Sequence, residues 1–143
     1  AAIRETMEEL NIGKENIEVL GELDYIVSYG NIIIRCFLGR ITNIDLEDIL
    51  PNSYEVDHIF TVPLDFFLEK EPDTYYFDIY PLLNDHFPYE LIPKGREYNW
   101  RKGKYTLMFY KYKDYIIWGL TARLMKGFVD ILVGDLSAEE EKC

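Results

Sequence analysis

The sequence predicts an α/β (α+β) domain in which helices pack on a mixed β-sheet, and three observations lead to that prediction. Apolar residues make up 48% of the 143 residues, which is enough for a sizeable core. Aromatic residues reach 15%, and this favours strands over a plain helical bundle. Helical apolar spacing occurs at both ends of the chain, and strand-like segments lie between them.

The first element is a helix predicted over residues 1–12. Ile3, Met7 and Leu10 recur at i, i+4 and i+7, so they form one apolar stripe. Asn11 and Gly13 tolerate left-handed backbone and are suited to end the helix. The chain starts in helical sequence without a Met or a capping residue, and we therefore expect that it lacks part of its natural N-terminus.

The middle of the chain reads as strands and turns. A turn is predicted over residues 28–31, a short helix over 64–69, and a long loop over 81–104. The predicted strands cover residues 17–23, 31–41, 55–62, 74–80, 105–112 and 115–118, and the last two form a hairpin.

The last element is a helix predicted over residues 120–133, with Thr121 as a candidate cap. Its apolar stripe consists of Leu120, Leu124, Phe128 and Ile131. No internal repeat or linker-like stretch interrupts the chain. We expect one domain over residues 1–134 and a polar tail over residues 135–143.

The charge and cysteine content exclude several classes of protein. A formal net charge of −11 does not suit a protein that coats nucleic acid, because phosphate binding needs clustered Lys and Arg. No apolar run approaches the length of a membrane span. Cys36, in an apolar run, is expected to be buried, and Cys36 with Cys143 makes no disulfide framework. We expect a cytoplasmic protein with no membrane and no nucleic-acid partner, and the sequence leaves a homodimer open.

The sharpest chemical feature is a cluster of carboxylates on the first helix. Glu5 and Glu9 are four residues apart, so they share a helix face, and Glu8 joins its edge. Like charges this close destabilise an exposed helix, whereas a hard cation such as Mg²⁺ binds carboxylate oxygens. Arg4 can pair with Glu8 at i, i+4. A solvated acidic face is the alternative interpretation.

The segment that runs from Arg4 to Ile12, RETMEELNI, resembles the second half of the Nudix box. Arg4, Glu5, Glu8, Glu9 and Ile12 match the family pattern. Two residues depart from it, since Thr6 replaces an aliphatic residue and Asn11 replaces Gly. The opening Gly and first Glu of the box would precede Ala1, so the resemblance enters the motif partway through.

Two later segments resemble the coenzyme A diphosphatase branch of the Nudix superfamily. They are residues 55–65, EVDHIFTVPLD, and residues 117–124, IWGLTARL. Gly30-Asn31 followed by an apolar strand also fits. His58 stands where this branch has an acidic residue, and the branch's Arg-containing stretch upstream of the box is not in this chain.

The resemblance implies an α/β/α sandwich and Mg²⁺- or Mn²⁺-dependent hydrolysis of a nucleoside diphosphate linkage. In the coenzyme A branch the products are 3′,5′-ADP and 4′-phosphopantetheine. The implied metal ligands are Glu5 and Glu9. Glu8 would be an additional ligand or the base, and Arg4 would orient the carboxylates. Without the first half of the box, we expect the chain as it stands to be inactive or poorly active.

A basic cluster stands out in the long loop of this acidic protein. It consists of Lys94, Arg96, Arg101, Lys102 and Lys104, with Tyr98 and Trp100 between the charges. One interpretation is contact with substrate phosphates, such as the 3′-phosphate of coenzyme A, and stacking on adenine. The other is a solvated loop. His58 is expected to be a hydrogen-bonded structural histidine in a strand.

Two other functions fit the same residues. The first is a pyrophosphatase for ADP-ribose or another dinucleotide, which uses the same chemistry on a different substrate. The second is a non-catalytic Nudix-fold module that binds a nucleotide or a protein.

Overall fold

The structure, a computed structural model, describes residues 1–27 and 32–140, and side chains up to residue 134. Backbone contacts divide the chain into two compact units. The first comprises Ala1–Glu69 and the chain from Gly127 onward, and the second comprises Lys70–Lys126. The chain combines helices with antiparallel strands, which confirms the predicted α/β class and agrees with the fold that the resemblance implies.

The first unit contains two helices and two small sheets. The helices are α1 (Ala2–Leu10) and α2 (Leu64–Glu69), and the strands are β1 (Ile17–Glu22), β2 (Ile26–Val27), β3 (Ile33–Ile34) and β4 (Phe37–Ile41). Strand β1 pairs with β4 in antiparallel register, with a bulge between Val19 and Gly21. Strand β2 also pairs with β3 in antiparallel register.

The second unit contains a three-stranded antiparallel sheet in the order β5-β6-β7. Its strands are β5 (Asp73–Ile79), β6 (Gly103–Tyr112) and β7 (Tyr115–Trp118). The turn between β6 and β7 is the predicted one, and Lys113 takes a φ of 53° there. Helix α3 (Gly119–Glu140) follows directly, so it begins in the second unit and ends in the first.

Each unit has its own small set of buried apolar side chains. In the first unit these include Ile12, Ile26, Ile49, Phe67 and Val129. In the second, Tyr110 is 1% exposed and Ala122 is fully covered. Cys36 is half-buried rather than buried, because it lies in the irregular link between β3 and β4.

Two predicted strands differ from the structure. The strand predicted over residues 31–41 is two strands, β3 and β4, because Arg35 and Cys36 leave the ladder between them. The strand predicted over residues 55–62 is wrong, since this segment is irregular. The Asn52 carbonyl accepts hydrogen bonds from the amides of Glu55 (3.0 Å) and Val56 (2.8 Å), and this turn replaces strand pairing at the start of the segment. The turn predicted over residues 28–31 lies outside the described residues.

The C-terminal helix also differs at both ends from the prediction. It starts at Gly119, whose φ is 62°, so Thr121 lies inside the first turn and is not the cap. It continues to Glu140, which makes residues 135–140 of the predicted tail helical. No proline interrupts this stretch, so helical geometry can continue.

The sheet pairing is simpler than the mixed sheet that the sequence predicted. Every strand pair within residues 1–27 and 32–140 is antiparallel, and the strands form sheets of two, two and three strands. In the same part of the chain, no helix is both long enough and apolar enough to cross a membrane.

Candidate functional site

Helix α1 presents its carboxylates to solvent because its apolar stripe faces the protein. Ile3, Met7 and Leu10 are half-buried, whereas Glu5, Glu8 and Glu9 are exposed. Thr6 is also half-buried, and its hydroxyl donates to the Ala2 carbonyl at 3.0 Å, so the helix satisfies the polar group that departs from the Nudix pattern.

The C-terminal end of α1 is closed by a left-handed residue. Asn11 has φ 52° and ψ 46°, and the Ile12 amide donates to the Met7 carbonyl at 3.3 Å. The Glu9 carbonyl accepts a hydrogen bond of 2.9 Å from the Asn52 amide. This hydrogen bond therefore ties the last turn of the carboxylate helix to the loop that follows the 3₁₀ turn at residues 46–48.

Arg4 binds two of the three carboxylates. Its Nη1 donates to both oxygens of Glu8, at 2.9 and 3.1 Å, and its Nη2 donates to Glu5. The hydrogen bond with Glu8, and then the charge of Glu5, raise the pKa of the Arg4 guanidinium above its ordinary value. The predicted Arg4–Glu8 pair is present, and the bond to Glu5 adds a contact that spacing alone did not indicate.

Glu9 differs from its neighbours. Its carboxylate is exposed and makes no hydrogen bond or ion pair with the described part of the protein. The side-chain charge of Glu9 is therefore available to a ligand, while Glu5 and Glu8 are held by Arg4.

The donors on α1 fit a hard divalent cation in their chemistry, but not as a complete cage. Within residues 1–27 and 32–140, no three His, Cys, Asp or Glu side chains form a metal-binding cluster. Mg²⁺ is commonly held by one or two carboxylates, with water and substrate phosphates as the other ligands. Glu5 and Glu9, which share a face, can supply two such carboxylates.

His58 lies in an irregular segment and not in a strand. Its side chain is 54% exposed, and its Nδ1 is 2.8 Å from an Asp57 carboxylate oxygen. The ring lines a cavity of about 530 Å³ whose other walls are mostly aliphatic, including Leu10, Ile44 and Ile59. Sequence reasoning missed this cavity, although the apolar residues on both sides of the Asn43 turn were a signal for it.

In the second unit, the loop between β5 and β6, which we call the basic loop, places two of its cations over aromatic rings. The Arg96 guanidinium lies 4.3 Å from the centre of the Tyr89 ring, and the Lys102 ammonium lies 5.0 Å from the centre of the Tyr80 ring. Such cation–π contacts fix the position of a charge without neutralising it. Sequence reasoning identified the cations and missed the two Tyr residues beneath them.

Tyr98 and Trp100 contact each other within this loop. Their ring centres are 4.9 Å apart at 65°, and Trp100 meets Phe87 edge-on at 5.7 Å. Trp100 is half-buried, while Tyr98 is 41% exposed. Tyr98 therefore offers more ring surface to a ligand than Trp100 does. Lys94, with a φ of 68°, and Arg101 are exposed in the same loop.

The chain is similar to several curated Nudix hydrolases, although no protein-family model matches it. A mitochondrial Nudix hydrolase of Arabidopsis thaliana is 26% identical over 128 residues, which is 87% of this chain and 38% of that protein. An uncharacterised Nudix hydrolase of Photorhabdus laumondii is 29% identical over 125 residues, 87% of this chain and 54% of that protein.

A third relative is a mitochondrial coenzyme A diphosphatase of Homo sapiens, 27% identical over 131 residues, which is 92% of this chain and 48% of that protein. The chain thus spans 38% to 54% of the length of these three relatives. Similarity over most of its length to several Nudix hydrolases supports placing this chain in the Nudix superfamily.

Proposed function

We propose that this protein hydrolyses a nucleoside diphosphate linkage with the help of Mg²⁺ or Mn²⁺, and that coenzyme A is its favoured substrate. The observation that carries the proposal is the arrangement on α1, where Arg4 binds Glu5 and Glu8 and leaves Glu9 open to a ligand. The similarity to Nudix hydrolases, one of them a coenzyme A diphosphatase, supports the same chemistry.

Glu5 and Glu9 would hold the cation, because they share one face of α1. When bound, the cation supplies charge neutralisation and Lewis acidity at the diphosphate. Glu8 is an additional ligand, or the base that takes a proton from the attacking water. Arg4 is a positioning residue, since its hydrogen bonds restrict the rotamers of Glu5 and Glu8.

The reaction adds one water across a phosphoanhydride bond. The water oxygen bonds to one phosphorus, the bridging oxygen leaves with the other phosphate, and a proton is released. With coenzyme A the products are 3′,5′-ADP and 4′-phosphopantetheine. Little covalent chemistry falls to the protein, so the placement of charge decides the rate.

The basic loop supports coenzyme A over substrates that carry no phosphate beyond the diphosphate. Arg96 and Lys102 are held over Tyr rings, so their charges stay near fixed positions. In a protein of net charge −11, such a cluster suits an anionic group, and the 3′-phosphate of coenzyme A is one. Tyr98 would stack on the adenine, with Trp100 supporting its ring.

The test is hydrolysis of coenzyme A, ADP-ribose and NADH by the full-length protein, with Mg²⁺ or Mn²⁺ and with chelator. We expect 3′,5′-ADP from coenzyme A, only with metal. Glu9→Gln should lower turnover by at least about 100-fold, since it removes a metal ligand. The matched control is Glu69→Gln, an exposed carboxylate at the end of α2, which should leave turnover unchanged.

Each other result of this assay is decisive. Full turnover in Glu9→Gln would remove Glu9 from the metal site. Cleavage of ADP-ribose or NADH in preference to coenzyme A would keep the chemistry and replace the substrate.

The cytoplasmic location stays a prediction, because two plant relatives are named as mitochondrial and chloroplastic.

A non-catalytic nucleotide-binding module is the second candidate function. The observation that favours it is that Arg4 already binds Glu5 and Glu8, two of the three carboxylates that a metal site on α1 would use. Binding of coenzyme A without any cleavage, in the presence of Mn²⁺, would establish this candidate and reject hydrolysis.

A further inference from the structure

The backbone of Glu9, in the last turn of α1, is held by a residue that lies far from it in sequence. The last four carbonyls of a helix have no partner within the helix. One of these carbonyls in α1, that of Glu9, accepts a hydrogen bond of 2.9 Å from the backbone amide of Asn52. Both residues belong to the first unit. The residue with the open carboxylate therefore has its main chain fixed by a tertiary contact.

The turn that supplies this amide is organised by Asn52 itself. The carbonyl of Asn52 accepts hydrogen bonds from the amides of Glu55 and Val56, at 3.0 and 2.8 Å. Its side-chain Oδ1 accepts a third hydrogen bond, of 3.2 Å, from the Tyr54 amide. An Asn side chain that binds the backbone two residues further on forms an Asx turn. The side chain of Asn52 therefore holds in place the turn whose first amide binds Glu9.

This contact is important because α1 is short and Glu9 lies next to its last residue, Leu10. The helix has nine residues. An isolated helix of fewer than about 12–15 residues is marginal in water. Its ends also fray. If the last turn frayed, Glu9 would leave helical geometry, and its carboxylate would no longer share a face with Glu5. The hydrogen bond from Asn52 opposes that loss.

The three carboxylates of α1 are thus positioned in two different ways. Arg4 binds the side chains of Glu5 and Glu8. The carboxylate of Glu9 is exposed, and its position is set through the backbone. A mobile side chain on a fixed backbone can turn towards a cation. On a frayed backbone, the same side chain could bind only if the main chain also became ordered, which costs conformational entropy.

We propose that Asn52 is a positioning residue for the cation site on α1, and that it acts through the backbone of Glu9. This inference rests on the proposed function, because it takes Glu9 to be a metal ligand. Partners that hold a metal ligand in place typically change metal affinity or activity by about 10–100-fold. Asn52 belongs with such partners, although it holds the main chain of the ligand and not its side chain.

The test is Mn²⁺ binding to the full-length protein without substrate, measured by electron paramagnetic resonance. We expect Asn52→Ala to weaken binding about tenfold, because it removes Oδ1 and loosens the turn. Asn52→Asp should bind Mn²⁺ at least as tightly as the wild type, since a carboxylate oxygen accepts the same hydrogen bond and its charge attracts a cation. Glu9→Gln gives the loss that removal of the ligand itself causes. Circular dichroism checks that each variant is folded.

The matched control is Asn84→Ala in the second unit. Asn84 makes the same type of turn, with Oδ1 accepting from the His86 amide and the carbonyl accepting from the Phe87 amide, both at 3.1 Å. The variant removes the same side-chain acceptor from a turn of the other unit. It should therefore leave the affinity for Mn²⁺ unchanged.

A second measurement needs no variant of Asn52. Mg²⁺ added to the isotope-labelled wild type should shift the amide resonance of Asn52, because that amide binds the carbonyl of the ligand residue. The amide resonance of Asn84 should stay where it is. In Glu9→Gln, the shift at Asn52 should be lost. A purely structural contact between Asn52 and α1 would give no Mg²⁺-dependent shift.

The results separate this inference from the proposed function. Loss of Mn²⁺ binding in Glu9→Gln, together with full binding in Asn52→Ala, would overturn the role of Asn52 and keep the metal site. Unchanged binding in Glu9→Gln would overturn both. Equal losses in Asn52→Ala and Asn52→Asp would show that the hydrogen-bond acceptor is not the cause, and an equal loss in Asn84→Ala would show a general effect of loosening a turn. Either result would reject the positioning role.

Discussion

Single residues on α1 show why charge placement and stability are separate questions. Arg4, Glu5 and Glu8 are all about half exposed or more, and exposed ion pairs contribute little to stability. Stability therefore does not explain an arginine that binds two carboxylates at once. The planar guanidinium can donate to two acceptors in fixed directions, which a lysine ammonium cannot reproduce. The physical effect of Arg4 is to hold two carboxylates in defined positions.

This argument predicts a specific effect of Arg4→Lys. The variant keeps the positive charge but loses the planar guanidinium that donates to two acceptors in fixed directions. We therefore expect kcat to fall about tenfold, in the range found for groups that orient metal ligands. KM and the melting temperature should stay close to those of the wild type. Steady-state kinetics and thermal denaturation measure both.

The control for Arg4→Lys is Arg40→Lys. Arg40 forms a similarly exposed ion pair with Glu18, at 3.5 Å, between β4 and β1. Its replacement should leave kcat unchanged. A fall in kcat of the same size in both variants would show that α1 has no special role, and a large fall in melting temperature for Arg4→Lys would make its role structural.

At the scale of secondary-structure elements, the sequence pattern predicted correctly those elements whose hydrogen bonds join residues that are near in sequence. Helix α1, helix α2 and the β6–β7 hairpin lie where the sequence predicts them, because helices and tight hairpins bond residues that are near in sequence. The strand predicted over residues 55–62 is wrong for the opposite reason. Its β-branched and aromatic residues are typical of a strand. A strand also needs a neighbour, however, and the segment has no ladder partner in the described chain.

The end of α1 offers a prediction at this scale. Asn11 takes a left-handed conformation where the Nudix pattern has Gly. Asn11→Gly should change the free energy of unfolding little, because both residues reach this conformation. Asn11→Val should lower it by about 1–2 kcal/mol, because a β-branched residue clashes there.

Urea denaturation of the two Asn11 variants separates backbone strain from side-chain loss. Both variants remove the amide, and the steric strain of a side chain in the left-handed conformation is present only in Asn11→Val. Equal unfolding free energies for Asn11→Gly and Asn11→Val would show that α1 ends differently in solution.

At the scale of the whole molecule, the dominant physical quantity is the net charge of −11. Like charges spread over one chain oppose its compact state, and added salt screens that repulsion. A bound divalent cation acts more selectively, since it stabilises only the folded state that presents its ligands. Comparing the effects of a magnesium salt and a sodium salt on stability therefore distinguishes general charge screening from binding at a cation site.

We expect MgCl₂ to raise the melting temperature more than NaCl at the same ionic strength. Binding to the folded state alone contributes about 2.7 kcal/mol when the ligand is at about 100 times its Kd. In Glu9→Gln the two salts should have the same effect, and in Glu69→Gln they should differ as in the wild type. Differential scanning calorimetry measures this without any turnover. Equal effects of both salts on the wild type would count against a cation site on α1.

The sequence by itself determined the α/β class, the carboxylate face of α1 and the basic loop, because these depend on spacing along a helix and on composition. Only the tertiary structure decided how charges and rings are used. It placed Arg4 on both Glu5 and Glu8, and it placed Tyr89 and Tyr80 beneath Arg96 and Lys102. It also brought the rings of Tyr75, Phe109 and Trp118 together from three strands. Contacts between residues far apart in sequence depend on register and rotamer, and a one-residue shift in register moves every side chain of a strand to the other face.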